Sequence, residues 1–166
     1  MRKIVQSILY GLLLVSISLN ITLAQSKADA SGCIDTTKYT IENCINKFSI
    51  DKVEKTKVGY QYWFVDPSFA DGKTLKMSVV APHSGLHAPH VHPEDEFYFI
   101  LEGNAEVYLK GEWKSIGPYT SFYCPSNVEH GIRNAGDTQL KYLVIKKYDE
   151  TNPVRVEFVK THKRDK

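Results

Sequence analysis

The sequence predicts an all-β fold, a single-domain antiparallel β-barrel or β-sandwich. Short β-prone segments follow one another from about residue 51, and turn residues separate them at intervals of about ten residues. No long segment shows the 3.6-residue hydrophobic period of a helix. The 166 residues, 42% of them hydrophobic, are enough for one sizeable core rather than two domains.

The predicted strands are apolar and β-branched runs, several of which alternate apolar and polar residues. Gly103-Asn104 and Lys110-Gly111 supply turn chemistry between consecutive runs. A short helix is predicted near the segment IENCINKF, and the sequence shows no internal repeat, which favours a single barrel. The strands are predicted at 58–65, 73–82, 96–103, 105–111, 121–125, 130–134, 140–148 and 154–159.

Residues 1–24 are predicted to be a signal peptide. Arg2 and Lys3 precede an apolar run, and Thr22-Leu23-Ala24 fits the small-x-small pattern of a cleavage site. The run is too short for a membrane span. We therefore expect an exported chain, periplasmic or secreted, with no membrane span in its mature form. The alternatives are an uncleaved N-terminal anchor and a lipoprotein attached through Cys33.

The remaining chain is expected to comprise an N-terminal extension at 25–50, the barrel at 51–159 and a basic tail at 160–166. Without residues 1–24 the 19 Lys and Arg residues balance the 19 Asp and Glu residues. A near-neutral chain with a basic run only at its terminus predicts no nucleic-acid partner.

Three cysteines lie after the predicted signal peptide. Export permits a disulfide, and Cys33 and Cys44 are close enough in sequence to close a short loop. Two free thiols are the alternative. Cys124 is expected to be a small buried hydrophobe rather than a nucleophile.

The segment HAPHVHPEDEF combines closely spaced histidines and carboxylates. His90 and His92 are two residues apart, so both side chains fall on one face of a strand. Pro93 ends that strand, and a short reversal brings Glu96 back beside the histidine pair. Nitrogen and oxygen donors together suit a borderline divalent metal. His130, which opens a later strand, is a fourth ligand candidate.

These two stretches resemble the motifs of the cupin superfamily. The first motif matches from His90 to Gly103, with His92 and Glu96 in register and its leading glycine one position short. In the second motif, Pro125-Ser126-Asn127, His130 and Asn134 fall in register. Asn127 replaces the usual glycine, and asparagine tolerates the left-handed backbone that such a turn requires.

The resemblance implies an antiparallel barrel of the jelly-roll type, a double-stranded β-helix, in which all four metal-ligand positions are filled: His90, His92, Glu96 and His130. The expected cofactor is one divalent transition metal. Acquisition outside the cytoplasm favours zinc or manganese, while iron, nickel, cobalt and copper also accept this ligand set. The resemblance also suggests a homodimer.

Further residues are candidates for a substrate pocket. His87 is expected to orient a ligand or touch substrate, or to lie in a loop. Tyr98 and Tyr123 are aromatic candidates for the pocket wall, and Asn134 shares a strand face with His130. Glu94 is expected in a solvated turn.

Three functions fit this pattern, each with a small-molecule partner. The first is a metal-dependent enzyme acting on a small polar substrate such as a sugar or uronate, by isomerisation, ring-opening or lyase chemistry. The second is a metal-dependent dioxygenase, and the third is a non-catalytic cupin that binds a small ligand. The catalytic acid and base are not identified by the sequence.

Overall fold

The computed structural model describes residues 36–149 and 151–152. The predictions for the signal peptide, Cys33, the strand at 154–159 and the basic tail lie outside the described residues. The chain divides into two units, Met1–Ile45 and Asn46–Lys166. Among the described residues, no helix is both long and apolar enough to cross a membrane.

The described part of the first unit contains a 3-10 turn at Thr36–Lys38 and a short helix, α1, at Ile41–Cys44. The Oγ1 atom of Thr40 accepts a hydrogen bond from the backbone N–H of Asn43 at 3.2 Å. The Asn43 side chain in turn accepts from the backbone N–H of Thr40 at 2.9 Å. This reciprocal capping satisfies two donors that the first turn of a helix leaves unpaired, and α1 falls where the sequence predicts a helix.

The second unit begins with a 3-10 turn at Ile50–Lys52 and is otherwise built of strands. The strands are β1 (Glu54–Thr56), β2 (Gly59–Ala70), β3 (Lys73–Val80), β4 (Glu96–Glu102), β5 (Ala105–Leu109), β6 (Glu112–Ile116), β7 (Ser121–Cys124), β8 (His130–Asn134) and β9 (Leu140–Lys147).

These strands form two antiparallel sheets. One has six strands in the order β1-β2-β3-β9-β4-β7, and the other has three in the order β6-β5-β8. Neighbours in the larger sheet are distant in sequence: β9 lies between β3 and β4. The all-β, jelly-roll class predicted from the sequence is confirmed.

The main core lies between the two sheets. Its buried members come from both of them, and Ile100 on β4, Ala105 on β5 and Leu140 on β9 are fully buried. Alternation along each strand places every second side chain in this layer. The core is apolar without any ion, so the fold depends chiefly on burial of these side chains.

A second apolar cluster covers the opposite face of the six-stranded sheet. Tyr62, Met77 and Val79 are buried there, and Phe48 packs edge-on against the Tyr62 ring at 5.1 Å. The Tyr62 hydroxyl donates to the carbonyl of Lys47 at 2.8 Å. Both faces of this sheet therefore carry apolar side chains.

Strands β1 and β6 were not predicted. Strand β6, with the sequence EWKSI, is mostly exposed and lacks the alternation that marks a half-buried strand. It forms because all five of its residues pair with β5, from Ala105↔Ile116 to Leu109↔Glu112. This pairing depends on a neighbouring strand, so the local sequence of β6 does not predict that it forms a strand.

Candidate metal centre

Backbone pairing brings two stretches of the candidate site together. After β3 the chain crosses to the smaller sheet and pairs with β8 at two isolated bridges, Ser84↔Asn134 and His90↔His130. The backbone N–H groups of His90 and His130 donate to each other's carbonyls at 2.9 and 3.0 Å. The expected strand through His90 and His92 is reduced to the single bridge at His90, and His92 lies in the loop that follows.

The side chains of His90, His92, Glu96 and His130 meet in one cluster. Each offers one donor atom, and these four atoms lie within 4.8 Å of one another. Nε2 of His130 is 3.1 Å from Nε2 of His92 and 3.2 Å from Oε1 of Glu96. Three imidazoles and one carboxylate are a donor set that suits zinc and other divalent transition metals.

Hydrogen bonding at His130 leaves the nitrogen that faces the cluster free to coordinate. Its Nδ1 lies 2.7 Å from the carbonyl oxygen of Val128. A carbonyl only accepts, so Nδ1 carries a proton, and Nε2, which faces Glu96 and His92, is the nitrogen that can coordinate once it has lost its own proton. A hydrogen bond of this kind orients metal-ligating histidines in general.

Glu94 lies behind His92, within ion-pair distance but without a hydrogen bond to it. Its Oε2 atom lies 3.4 Å from Nδ1 of His92, and the residue is only 8% exposed. The expectation that Glu94 belongs to a solvated turn is therefore wrong. The Asn152 side chain donates a hydrogen bond to the other carboxylate oxygen of Glu94, which holds this group in place.

A lysine that sequence reasoning missed contacts the cluster directly. The Nζ atom of Lys146, on β9, lies 2.9 Å from Nε2 of His92 and 3.3 Å from Oε2 of Glu96. Lys146 reaches the site because it pairs with Glu96 across β9 and β4. Its ammonium group shows that the donor atoms of this cluster can accommodate a cation.

The electrostatics of the cluster keep two of its ligands in the states that a metal requires. Burial disfavours the Glu96 carboxylate, but hydrogen bonds from His130 and His92 and the charge of Lys146 outweigh it and lower the pKa. Burial, with the positive charges that His87, His130 and His92 can carry, lowers the pKa of His90 to about 4. Glu96 is thus ionised and His90 neutral at neutral pH.

Two buried polar atoms support the fit of a metal to this site. Nδ1 of His90, like Nδ1 of His92, is buried and finds no hydrogen-bond partner in the described part of the chain. An unpaired buried nitrogen costs free energy, and most such groups in proteins have a partner. Together with the donor set, these atoms indicate that the cluster can hold a cation.

A cavity of about 210 Å³ opens beside the cluster. His87 and Tyr98, both predicted as pocket residues, lie in its wall. The Tyr98 hydroxyl donates a hydrogen bond to Oε1 of Glu96, and burial together with the Glu96 charge raises its pKa. The other lining residues are Trp63, Thr74, Lys76, Ser78, Leu86, His90, Glu96, Ile132, Tyr142, Val144, Lys146 and Tyr148.

Two further predicted pocket residues lie elsewhere. Tyr123 is 45% exposed, stacks on Phe97 at 4.8 Å and donates to Asp95 at 3.0 Å. It points outward because its neighbour Cys124 points into the core. Asn134 is buried, and its amide nitrogen lies 2.8–3.0 Å from three backbone carbonyls. Neither side chain is in the wall of this cavity, so a contact of either one with substrate stays a prediction.

Hydrogen bonds join the loop that contains His92, Pro93 and Asp95 to the loop that contains Ser126 and Asn127. Oδ1 of Asp95 accepts the backbone N–H of Ser126 at 2.7 Å, and the Ser126 hydroxyl donates to the carbonyl of Pro93 at 2.6 Å. The backbone N–H of Asn127 donates to the carbonyl of His92 at 2.9 Å. Asn127 has a φ angle of 58°, which confirms the predicted left-handed turn.

Neither of the two cysteines that the structure describes, Cys44 and Cys124, belongs to the cluster's donor set. Cys124 is fully buried, and burial followed by the Glu96 charge raises its pKa to about 12, so the prediction of an inert buried thiol is confirmed. Cys44 is exposed. Because Cys33 lies outside the described residues, the pairing of Cys33 with Cys44 stays a prediction.

Comparison with known proteins assigns this domain to a family. Residues 76–146 match the family model for the cupin domain, Cupin_2, and this span contains both bridged segments and the complete donor cluster. The chain is 38% identical over 84 residues to the dimethylsulfoniopropionate lyase DddQ of Ruegeria pomeroyi, which covers 49% of this chain and 41% of the lyase. Residues 76–146 therefore form a cupin domain.

A second relative is similar in sequence, and a solved structure is similar in fold. A mannose-1-phosphate guanylyltransferase of Salmonella montevideo is 23% identical over 118 residues, 70% of this chain and 25% of that protein. The chain thus spans less than half the length of these two curated relatives. A predicted oxalate decarboxylase from Thermotoga maritima superposes with a TM-score of 0.56 at 20% identity, over 62% of this chain and 97% of that one.

Proposed function

We propose that this protein is a metal-dependent enzyme that acts on a small polar substrate, such as a sugar or uronate, by isomerisation, ring-opening or lyase chemistry. The observation that carries the proposal is the convergence of four donor atoms within 4.8 Å of one another, beside a cavity of about 210 Å³. Similarity to a lyase supports the lyase form of the proposal. Similarity to a guanylyltransferase of a sugar phosphate supports the sugar form.

The ligands of the metal would be His90, His92, Glu96 and His130. Zinc and manganese are the proposed ions, since a set of imidazoles and one carboxylate accepts both. When bound, such an ion polarises a carbonyl or hydroxyl oxygen and lowers the pKa of bound water. The chain's own contribution is to exclude water and position the substrate.

Several side chains of the cavity could bind or orient a polar substrate. His87 packs edge-on against His90, with ring centroids 4.4 Å apart, at the wall of the cavity. The Tyr98 hydroxyl is held beside Glu96 and keeps its proton, because burial and the Glu96 charge raise its pKa. Because its one proton is already donated to Glu96, the Tyr98 oxygen can accept a hydrogen bond from a substrate.

A pair of matched variants tests the metal centre. Glu96→Gln removes the anionic ligand, and we expect protein purified without added metal to lose most of its bound ion. Glu102→Gln is the control, because Glu102 lies on the same strand but is exposed and pairs with Lys141 at 2.8 Å. Elemental analysis of both variants gives the result, and full metal content in Glu96→Gln would contradict the assignment.

The reaction is tested on the metal-loaded chain. We expect turnover of at least one compound from a panel of sugars, unsaturated uronates and small acids, and loss of that turnover in Glu96→Gln. Oxygen uptake during turnover would instead identify a dioxygenase. Ligand binding without turnover across the panel would identify a non-catalytic binder.

Export and a homodimer are also proposed. The basic, apolar and small-residue pattern of residues 1–24 supports export. Fractionation of cells that express the full chain, with N-terminal sequencing of the product, tests both export and cleavage after Ala24. The homodimer is supported by the superfamily assignment, and sedimentation equilibrium of the purified protein tests it.

A further inference from the structure

The cavity wall carries two lysines on neighbouring strands. Lys76 on β3 pairs with Val144 on β9, and Thr74 pairs with Lys146, so Lys76 and Lys146 are diagonal neighbours on one face of the sheet. Both line the cavity beside the metal cluster. The register of β3 and β9 therefore places two ammonium groups on the same side of the site.

The two lysines differ in their partners. Lys146 already contacts His92 and Glu96. The Lys76 side chain has neither a hydrogen bond nor an ion pair with any residue that the structure describes. Its ammonium group lies 4.9 Å from the centre of the Trp63 ring. Burial lowers its pKa, with opposing charges from Glu96 and Glu54 only partly compensating, so this cation lacks a close anionic partner.

With a divalent ion bound, the charged groups around the cavity would be balanced by one further negative charge. The carboxylates that act on the site are Glu96, Glu94 and Glu54. The two lysines and a divalent ion together carry one unit more positive charge than these three carboxylates carry negative charge. A cavity with this surplus favours a ligand with a single negative charge, and a neutral ligand leaves the Lys76 ammonium unpaired.

We infer that Lys76 binds an anionic group of the substrate, and that the substrate is a small carboxylic acid rather than a neutral sugar. The ammonium of Lys76 forms the ion pair, and Ser78 and Tyr142, which pair across β3 and β9 in the same cavity, offer hydroxyl groups nearby. This inference rests on the proposed function, because the divalent ion supplies part of the positive charge. It narrows the substrate class to acids such as uronates and short-chain carboxylates.

The test uses two probes of nearly equal shape, propionate and propionamide, titrated calorimetrically into the zinc-loaded full chain. We expect propionate to bind at least tenfold more tightly than propionamide. In Lys76→Met we expect this preference to fall at least fivefold, with unchanged zinc content. Lys73→Met, an exposed lysine on the same strand, is the control and should keep the wild-type preference. Lys76→Gln and thermal unfolding of each variant exclude misfolding as the cause.

A propionate preference that persists in Lys76→Met would overturn the inference, since the carboxylate would then be bound by the metal alone. Equal affinities for both probes in the wild-type chain would overturn it as well. If the chain loads no zinc, the proposed function fails, and the inference fails with it because the positive surplus depends on the ion. If the chain loads zinc but shows no preference for propionate, the inference alone fails.

Discussion

The ammonium nitrogen of Lys146 lies 2.9 Å from Nε2 of His92. The same imidazole nitrogen belongs to the cluster that could hold a metal ion. A lone pair that faces an ammonium group cannot coordinate an ion at the same time. Lys146 and a metal therefore compete for the same side of His92 and for Glu96, which Lys146 approaches at 3.3 Å.

Replacement of Lys146 by methionine should strengthen metal binding. The variant removes a competing cation and its repulsion of a divalent ion, and we expect about a tenfold gain in affinity, or about 1.4 kcal/mol. The metal-free protein should lose about 2 kcal/mol of stability, because the buried Glu96 carboxylate loses its cation but keeps its hydrogen bonds. Competition with a chromophoric chelator and urea denaturation measure the two effects.

Lys141→Met is the matched control for this prediction. Lys141 lies on the same strand and pairs with Glu102 at 2.8 Å, but Glu102 is largely exposed. Such a surface ion pair contributes about 0–1 kcal/mol, so metal affinity should not change. Weaker metal binding in Lys146→Met would show that the lysine supports the metal site rather than competing with it.

Metal affinity should fall as the solution becomes acidic, in two stages. Burial opposes protonation of His130, but its hydrogen bonds to Glu96 and Val128 prevail and raise its pKa, so a proton competes for this ligand first. The pKa of His90 is lowered to about 4, and His90 competes only below that pH. We expect the dissociation constant of zinc to rise about tenfold per pH unit between about pH 6 and 4, and more steeply below.

Zinc titrations across this pH range measure the two stages. His83→Asn provides a control, because His83 lies outside the cluster and contacts Asp137 at 2.8 Å; its profile should match that of the wild type. An affinity that is constant down to pH 4 would remove His130 from the set of ligands.

Asn134→Ala should destabilise the fold without changing ligand affinity. The Asn134 amide nitrogen approaches the carbonyls of Val80, Ala81 and Thr138, and its oxygen accepts the backbone N–H of Gly136 at 3.0 Å. Alanine leaves these groups without their partner, at a cost of about 2–4 kcal/mol. Urea denaturation measures the loss. A change in ligand affinity with unchanged stability would restore Asn134 to the substrate pocket.

The matched control for that variant is Asn104→Ala. Asn104 is exposed in the turn between β4 and β5, and we expect a change within about 0.5 kcal/mol.

The turn at Asn127 should accept glycine and resist alanine. With a φ of 58°, this residue has a left-handed backbone that costs alanine about 1 kcal/mol and costs glycine almost nothing. Asn127→Gly should therefore keep wild-type stability, whereas Asn127→Ala should lower the midpoint of urea denaturation. Equal midpoints for the two variants would show that the turn relaxes when the asparagine is replaced.

The sequence predicts those parts of the site that depend on local spacing. The interval from His90 to Glu96 and the position of His130 after its turn were enough to anticipate the donor cluster. Lys76 and Lys146 could not be anticipated, because they enter the cavity only once β9 is inserted between β3 and β4. That strand order is a property of long-range pairing, and no local pattern encodes it.

The other differences between the sequence predictions and the structure also arise from contacts that local sequence patterns do not encode. The alternation of side chains along a strand correctly places Asn134 on the inner side of β8. It does not reveal which inward side chains are already hydrogen-bonded to backbone groups. Tyr123 was chosen for its aromatic character, although the inward position belongs to its neighbour Cys124. Glu94 has the composition of a surface turn, and only its approach to His92 buries it.

The main-chain bridge between His90 and His130 has a consequence for how an ion would come and go. Its two hydrogen bonds, with the ties from Asp95 and Ser126, fix the spacing of the donors from the polypeptide side. The protein should therefore stay folded when no ion is bound, unlike small zinc domains, which unfold when their metal is removed. A chelator should remove the ion and leave a folded, metal-free protein that binds the ion again without refolding. The ion is then an exchangeable ligand rather than a structural metal.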